Sequence, residues 1–194
     1  MIAHLRGTLI EKHPNQAIVE AGGVGYDVVI SVPTFSSLPE AGSAVALHVH
    51  THVREDALAL FGFASREEKQ LFEKLITVSG IGPKLGVTIL SGMAADSLGL
   101  AIRSGDLAAL TRIPGIGKKT AERMVLELRD KIAPPATAVE ASPPANTPVE
   151  EDALSALLNL GYPRPAAERA LAAVKHGRDA FDTLFREALA QLSR

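Results

Sequence analysis

Two copies of a glycine-rich segment carry the residues with the clearest chemical potential. VSGIGPK at 78–84 recurs as IPGIGKK at 113–119. At that offset two glycines and one lysine align: Gly80, Gly82 and Lys84 with Gly115, Gly117 and Lys119. A Gly-x-Gly turn before a helix exposes backbone N–H groups that bind anions such as phosphate, and a lysine one turn later adds positive charge. One copy alone would be explained equally well as a tight connection between helices.

The repetition favours a tandem helix-hairpin-helix unit that holds a nucleic-acid backbone. Two hairpins can bind neighbouring phosphates on both strands of one duplex without reading the bases. We therefore expect binding that is independent of sequence and sensitive to salt. The isoleucine inside each Gly-x-Gly should point inward and fix the hairpin to its own helices.

The distribution of charge supports this assignment. The whole chain has a formal net charge of −2, which by itself does not indicate a nucleic-acid binder. Residues 65–133 carry 11 Lys and Arg against 8 Asp and Glu, whereas residues 1–64 and 134–194 are each net negative. Both glycine-rich segments lie in the basic part of the chain.

The elements that position the hairpins follow from the hydrophobic pattern. Residues 1–64 contain five short runs rich in Val, Ile and Leu, separated by turn signals, which predict a five-stranded OB-type β-barrel with a short helix at 33–42; a small sandwich is the alternative. From Ser65 to residue 133 the period becomes helical. The predicted fold is thus α+β and multi-domain.

Two further segments follow the helical part. Residues 134–149 are rich in Pro and Ala and nearly lack large apolar side chains, so they predict a flexible linker. Residues 150–194 show three short amphipathic patterns, typical of a three-helix bundle of UBA-like size. A bundle of this length is marginally stable alone, and part of its apolar surface is expected to bind a partner.

Several classes of site are not indicated by the residues. The chain has no cysteine, no run approaching 18 apolar residues, and no GxxxxGK[ST] phosphate loop. We therefore expect a cytoplasmic protein that lacks a membrane segment, a cofactor and a nucleotide site. His48, His50 and His52 alternate along one strand face, but a spacing of about 7 Å does not suit one zinc ion, so a polar barrel face or subunit contact is favoured.

The order of these segments resembles the RuvA family, the Holliday junction-binding subunits of bacterial branch-migration complexes. The resemblance rests on MIAHLRGTL and GGVGYDV in the barrel, VREDALALFGF at its end, GIGPKL, and IPGIGKKTAERM. It implies a non-enzymatic homotetramer, or an octamer of two tetramers, that binds four-way DNA and recruits the hexameric RuvB ATPase. It also implies a role in recombination, DNA repair and the SOS response, with the RuvC resolvase as a further partner.

The resemblance assigns roles to individual residues. The implied contacts to the DNA backbone are Gly80, Gly82, Lys84, Gly115, Gly117, Lys118, Lys119 and Arg123. Glu55 and Asp56 match an acidic pin that repels phosphates at the junction centre, although a solvated β-turn explains them as well. The implied motor-binding residues are Leu157, Leu160, Tyr162 and Leu189, for which bundle core is an equally good explanation.

Two other functions remain compatible with the sequence. A helix-hairpin-helix repair enzyme, either a glycosylase-lyase or a structure-specific nuclease, would hold DNA in the same way. A lyase needs an amine nucleophile beside a carboxylate, and a nuclease needs clustered acidic metal ligands; neither arrangement is evident in the sequence. The barrel alone would also fit an RNA-binding accessory protein of translation.

Overall fold

A computed structural model describes residues 1–132, 147–174 and 180–192 of the chain. These residues form two compact units, which divide after Ala138. Most of the sequence assigned to the linker, and the end of the last domain at 193–194, lie outside the described residues.

The first part of the first unit is a closed five-stranded barrel. Its strands are β1 (His4–His13), β2 (Gln16–Ala21), β3 (Val24–Ile30), β4 (Ala44–Val53) and β5 (Leu58–Phe63). They close in the order β1-β2-β3-β5-β4, and only the β3–β5 pair is parallel. The five-stranded barrel predicted from the sequence is therefore confirmed.

Alternation of side chains builds the barrel core. In β4, Val45, Leu47 and Val49 are buried inside, and the intervening positions face outward. The histidine row therefore lies on the outer face of the barrel, as the two-residue period requires. A short helix, α1 (Val32–Ser37), joins β3 to β4 and is capped by the Ser31 hydroxyl, which accepts from the Thr34 N–H.

Five helices complete the first unit. They are α2 (Arg66–Leu75), α3 (Pro83–Gly92), α4 (Ala95–Ser104), α5 (Leu107–Leu110) and α6 (Lys118–Leu128). Ser65 caps α2, because its hydroxyl accepts from the Glu68 N–H. Glycine ends α4, where Gly105 adopts φ +72°.

The barrel interior has its own hydrophobic core, and the helices form a second core that includes residues on the outer face of β5. Phe61 and Phe63 of β5 pack on Phe72 of α2, with ring centroids 5.3 and 4.8 Å apart. His50 from the outer barrel face meets the same Phe72 ring at 5.4 Å, and its Nδ1 lies 3.2 Å from Glu73 Oε1. Helix α2, which leads into the first glycine-rich segment, is thus packed directly on the barrel.

The second unit contains α7 (Pro148–Asn159), α8 (Arg164–Val174) and α9 (Phe181–Leu192) around a small core of Leu and Ala side chains. Helix α7 begins two residues inside the range that the sequence assigns to the linker. Thr147 and Glu150 form a capping box there, which fixes the helix start before the acidic run.

Within the described residues, no single helix has the length and apolarity needed to span a membrane. Helices α3 and α4 reach these values only when taken together, and they are bent by 99° at the break between them.

Candidate nucleic-acid interface

The two glycine-rich segments adopt the same backbone conformation. The first glycine of each has positive φ, +93° at Gly80 and +85° at Gly115. The second glycine of each is the N-cap of the following helix, with φ −85° and ψ 171° at Gly82 and φ −88° and ψ 171° at Gly117. The sequence repeat is therefore a structural repeat of two hairpins.

The two glycines of each hairpin are under different constraints. At Gly80 and Gly115 the left-handed backbone is strained for any residue with a Cβ. At Gly82 and Gly117 the backbone is extended and a Cβ would meet no atom within 4 Å. The protein itself thus does not require glycine at these two positions, which suits a site where something outside the chain approaches closely.

The isoleucine between the glycines anchors each hairpin. Ile81 is 3% exposed and Ile116 is 5% exposed. Their N–H groups donate to Val78 O and Ile113 O, both at 3.0 Å. The inward orientation predicted for these residues is confirmed, and it turns the glycines on either side outward, where all four are exposed.

The helices that follow the hairpins begin without a side-chain cap. Neither Gly82 at α3 nor Gly117 at α6 offers a side-chain acceptor, whereas Ser65, Asp106 and Thr147 cap α2, α5 and α7 through side-chain oxygens. Uncapped first-turn N–H groups at the positive end of a helix dipole favour an anion. The two hairpins therefore offer two sites of this kind.

The lysines predicted to accompany the hairpins lie where their positive charge can contribute to anion binding. Lys84 in the first turn of α3, and Lys118 and Lys119 in the first turn of α6, are all exposed. Arg123 is also exposed, but it has a partner within the chain. Its Nη1 donates to the carbonyl oxygen of Ser79 at 3.3 Å and to the Ser79 hydroxyl at 3.4 Å.

The two hairpins are immediate neighbours. A Cβ added to Gly115 in the second hairpin would lie 2.9 Å from Cδ1 of Leu85, which follows the first hairpin. This close approach and the bond from Arg123 to Ser79 join opposite hairpins. The structure thus brings the predicted backbone-contact residues onto one helical region.

The acidic residues of the proposed pin occupy the turn between β4 and β5. Arg54 N donates to Ala57 O at 2.8 Å, which closes the turn and leaves Glu55 and Asp56 exposed. Arg54 Nε donates to His52 Nε2 at 3.1 Å, so the arginine side chain bonds to the strand beside the turn.

The four residues assigned to motor binding differ in how exposed their side chains are. Leu157 is fully buried in the core of the second unit, while Leu160 is 59% exposed. Tyr162 and Leu189 are partly buried and pack against the same core. Leu157 is therefore a core residue in this conformation, and Leu160 is the member of the set whose side chain is most accessible.

Among the described residues, no group of three or more His, Cys, Asp or Glu side chains is arranged to hold a metal ion. The histidine row instead makes ring contacts. His48 meets His4 at 6.1 Å, and His52 meets Phe61 at 6.4 Å.

Two features of the structure were not anticipated from the sequence. Ser79 bonds to Arg123, but in the repeat it aligns with Pro114, so the repetition gave no signal for it. The second feature is the buried carboxylate of Glu68, which accepts from the Ser31 hydroxyl and, at 2.8 Å, from Thr34 Oγ1. These bonds tie α1 to α2, and no local pattern in the sequence indicated them.

Comparison with known proteins gives matches to three family models. They are the RuvA N terminal domain over residues 1–62, the SAM-like Helix-hairpin-helix tandem over residues 72–130, and the RuvA, C-terminal domain over residues 148–193.

Full-length relatives agree with these matches. A protein of Acidobacterium capsulatum is 61% identical, with 97% of this chain and 98% of the relative covered; one of Solibacter usitatus is 59% identical over the same shares. A protein of Syntrophotalea carbinolica is 48% identical over the whole of both chains. Each of the three is named Holliday junction branch migration complex subunit RuvA. With its barrel, tandem hairpins and carboxy-terminal helices in the same order, the chain belongs to the RuvA family.

Proposed function

We propose that this chain is the junction-binding subunit of a branch migration complex. It binds four-way DNA through phosphates of the duplex arms, independently of base sequence. The relatives at 48–61% identity are each named as a subunit of a Holliday junction branch migration complex, which supports this proposal. In this proposal the chain itself is a scaffold and ATP is hydrolysed by a partner of the RuvB type.

One observation carries the proposal. Two hairpins of matching φ and ψ lie side by side, each with an uncapped helix start, exposed glycines and an exposed lysine in the first turn. Backbone N–H donors at a helix start bind phosphate and carry no sequence information. A pair of such sites suits two phosphates of one duplex better than a single small anion.

Further roles belong to the same proposal. The chain assembles as a homotetramer, or as two tetramers around one junction, and Glu55 and Asp56 lie at the junction centre where they repel phosphates. Their exposure in a tight turn supports this role. Leu160, Tyr162 and Leu189 contribute to RuvB docking, and Leu157 supports that surface from the core.

The division of labour along the chain is likewise proposed. Residues 1–64 form the barrel domain, 65–133 the DNA-binding domain, 134–149 a linker, and 150–194 the motor-binding domain. We also propose a cytoplasmic location, in keeping with the lack of cysteine, and RuvC as a further partner during recombination and repair.

Direct binding measurements test the function. Purified protein is titrated against a labelled four-way junction and against linear duplex of the same sequence, and its mass is measured by light scattering with and without the junction. We expect preference for the junction and a mass of four or eight chains. Equal affinity for both DNAs would contradict the proposal.

Two further assays on the same purified protein test the alternative functions. Incubation with four-way, nicked and abasic DNA in Mg²⁺ should leave every strand intact, since cleavage or base release would indicate a repair enzyme. Structured RNA that competes as well as four-way DNA would indicate an RNA-binding role.

A further inference from the structure

Arg123 connects the two hairpins of the DNA-binding region. It lies on α6, which starts at the second hairpin, but Nη1 donates to both the carbonyl and the hydroxyl oxygen of Ser79, the residue just before Gly80 in the first hairpin. The residues are 44 positions apart in sequence. The contact is therefore a tertiary link between the repeats.

The acceptor is part of the turn that presents the first anion site. The Ser79 carbonyl belongs to the peptide group that leads into Gly80, whose φ is +93°. A hydrogen bond to that carbonyl restricts the rotation of this peptide group. Its loss would let the first hairpin vary in orientation while Ile81 keeps the loop attached.

A second contact, between Leu85 and Gly115, helps to set the distance between the two hairpins. Leu85 Cδ1 lies so close to Gly115 that a Cβ there would approach it to 2.9 Å. The apolar contact limits how near the hairpins come, and the Arg123–Ser79 bond limits how far apart they move. Together they fix a spacing that neither repeat defines alone.

We propose that Arg123 is a positioning residue, which holds the first hairpin in register with the second so that both bind phosphates at once. The inference rests on the proposed DNA-binding function and adds a role to the direct phosphate contact expected of this side chain. A guanidinium has five N–H donors in a rigid plane, so bonding to Ser79 through Nη1 leaves other donors for a phosphate.

A double-mutant cycle distinguishes a positioning role of Arg123 from a role limited to its own phosphate contact. If Arg123 supplies only its own phosphate contact, Lys84→Ala in the first hairpin should weaken junction binding by the same factor with or without Arg123, because independent sites add. If Arg123 positions that hairpin, the loss of Arg123 already weakens the Lys84 contact. Lys84→Ala should then cost at least about threefold less in the Arg123→Gln background, a coupling in the range seen for contacting groups.

Arg129→Gln provides the matched control. Arg129 is an exposed arginine at the C-cap of the same helix, so its replacement removes the same charge at the far end of α6. The effect of Lys84→Ala should be unchanged in this background. Arg123→Lys, which keeps the charge and loses the planar group, should restore only part of the coupling.

The salt dependence of binding gives an independent measure. Loss of one phosphate contact lowers the slope of log K against log salt by about one unit. Arg123→Gln should lower it by clearly more than Arg129→Gln and by more than one unit, because the first hairpin loses contact as well. A decrease of one unit or less would overturn the proposal.

The spacing can also be measured without DNA. The chain has no cysteine, so Thr88→Cys on α3 and Glu122→Cys on α6 can be spin-labelled at two defined, exposed positions. Arg123→Gln should broaden the distance distribution between the labels, and Arg129→Gln should leave it unchanged.

Two results would contradict the positioning role of Arg123. Equal effects of Lys84→Ala in both backgrounds, or a label distance distribution that Arg123→Gln does not alter, would overturn the positioning role. A parent protein that fails to bind four-way DNA would instead refute the proposed function, and the label measurement would still test the link between the hairpins.

Discussion

Leu85 of the first repeat lies against Gly115 of the second so closely that a methyl group on Gly115 would meet its Cδ1 at 2.9 Å. The contact joins the two hairpins at the point where one of them has left-handed backbone. Gly115 is thus constrained by its own conformation and by its neighbour at once.

We expect Gly115→Ala to destabilise the fold, whereas Gly82→Ala does not. At φ +85° an alanine is strained, and with the Leu85 contact we expect a cost of about 1–3 kcal/mol in the free energy of unfolding. Gly82 has extended backbone and open space around its Cβ position, so its alanine variant should lie within about 0.5 kcal/mol of the parent. Urea unfolding measures both.

The Gly82→Ala variant also distinguishes an effect on DNA binding from an effect on folding. Gly82→Ala should still lower affinity for four-way DNA, because the added methyl group stands between the backbone and a phosphate. A Gly82→Ala variant that folds and binds like the parent would argue against close phosphate approach at this hairpin.

Lys84→Ala and Lys119→Ala should weaken binding to all DNA sequences alike. Both side chains are exposed in the first turn of a helix that begins at a hairpin. Each replacement should lower the salt slope by about one unit, as expected for one phosphate contact. Fluorescence anisotropy over a series of salt concentrations provides the measurement.

Arg66→Ala is the control for these lysines. It removes one exposed positive charge from the start of α2, the end away from the first hairpin. Affinity should change little. A loss that depends on the base sequence of the DNA, for either lysine variant, would contradict recognition through the backbone alone.

Leu157→Ala and Leu160→Ala should affect different properties. Leu157 is fully buried, so its truncation should cost about 2–5 kcal/mol and unfold much of the small second unit. Leu160 is mostly exposed, and its alanine variant should keep stability within about 0.5 kcal/mol while reducing stimulation of the RuvB ATPase. Thermal unfolding and an ATPase assay report the two effects. Normal stimulation by the Leu160 variant would place the docking surface elsewhere.

Replacing Glu55 and Asp56 together by Gln and Asn should preserve or tighten junction binding. Both carboxylates are exposed, so their repulsion of a phosphate at about 4 Å amounts to roughly 1 kcal/mol per pair in water. Removal of this repulsion should change the rate of branch migration in a strand-exchange assay with RuvB. A marked loss of affinity would show that these residues bind the junction instead of repelling it.

The sequence predicted the regular elements well, because their signals are local. The alternation of His48, His50 and His52 predicted that all three share one face of a strand, and they lie together on the outer face of β4. Likewise Ser65 marked the start of α2, and the repeated Gly-Ile-Gly predicted two hairpins whose isoleucines are buried.

The features that local patterns could not supply are contacts between distant residues. Nothing in the repeat indicated that Arg123 bonds to Ser79, since Ser79 has a proline as its counterpart. The buried carboxylate of Glu68 lies on a helix whose other acidic residues are more exposed. Sequence also left Leu157 and Leu160 in one group, although α7 ends at Asn159, so Leu157 packs in the core and Leu160, at the C-cap, is exposed.

The packing of Phe61 and Phe63 against Phe72 has a consequence for how this architecture can be divided. A gene fragment that begins at α2 would encode the hairpins but leave one face of Phe72 in water, with the insolubility that follows. A fragment that keeps α2–α6 should therefore also keep the barrel, whereas the second compact unit has a core of its own.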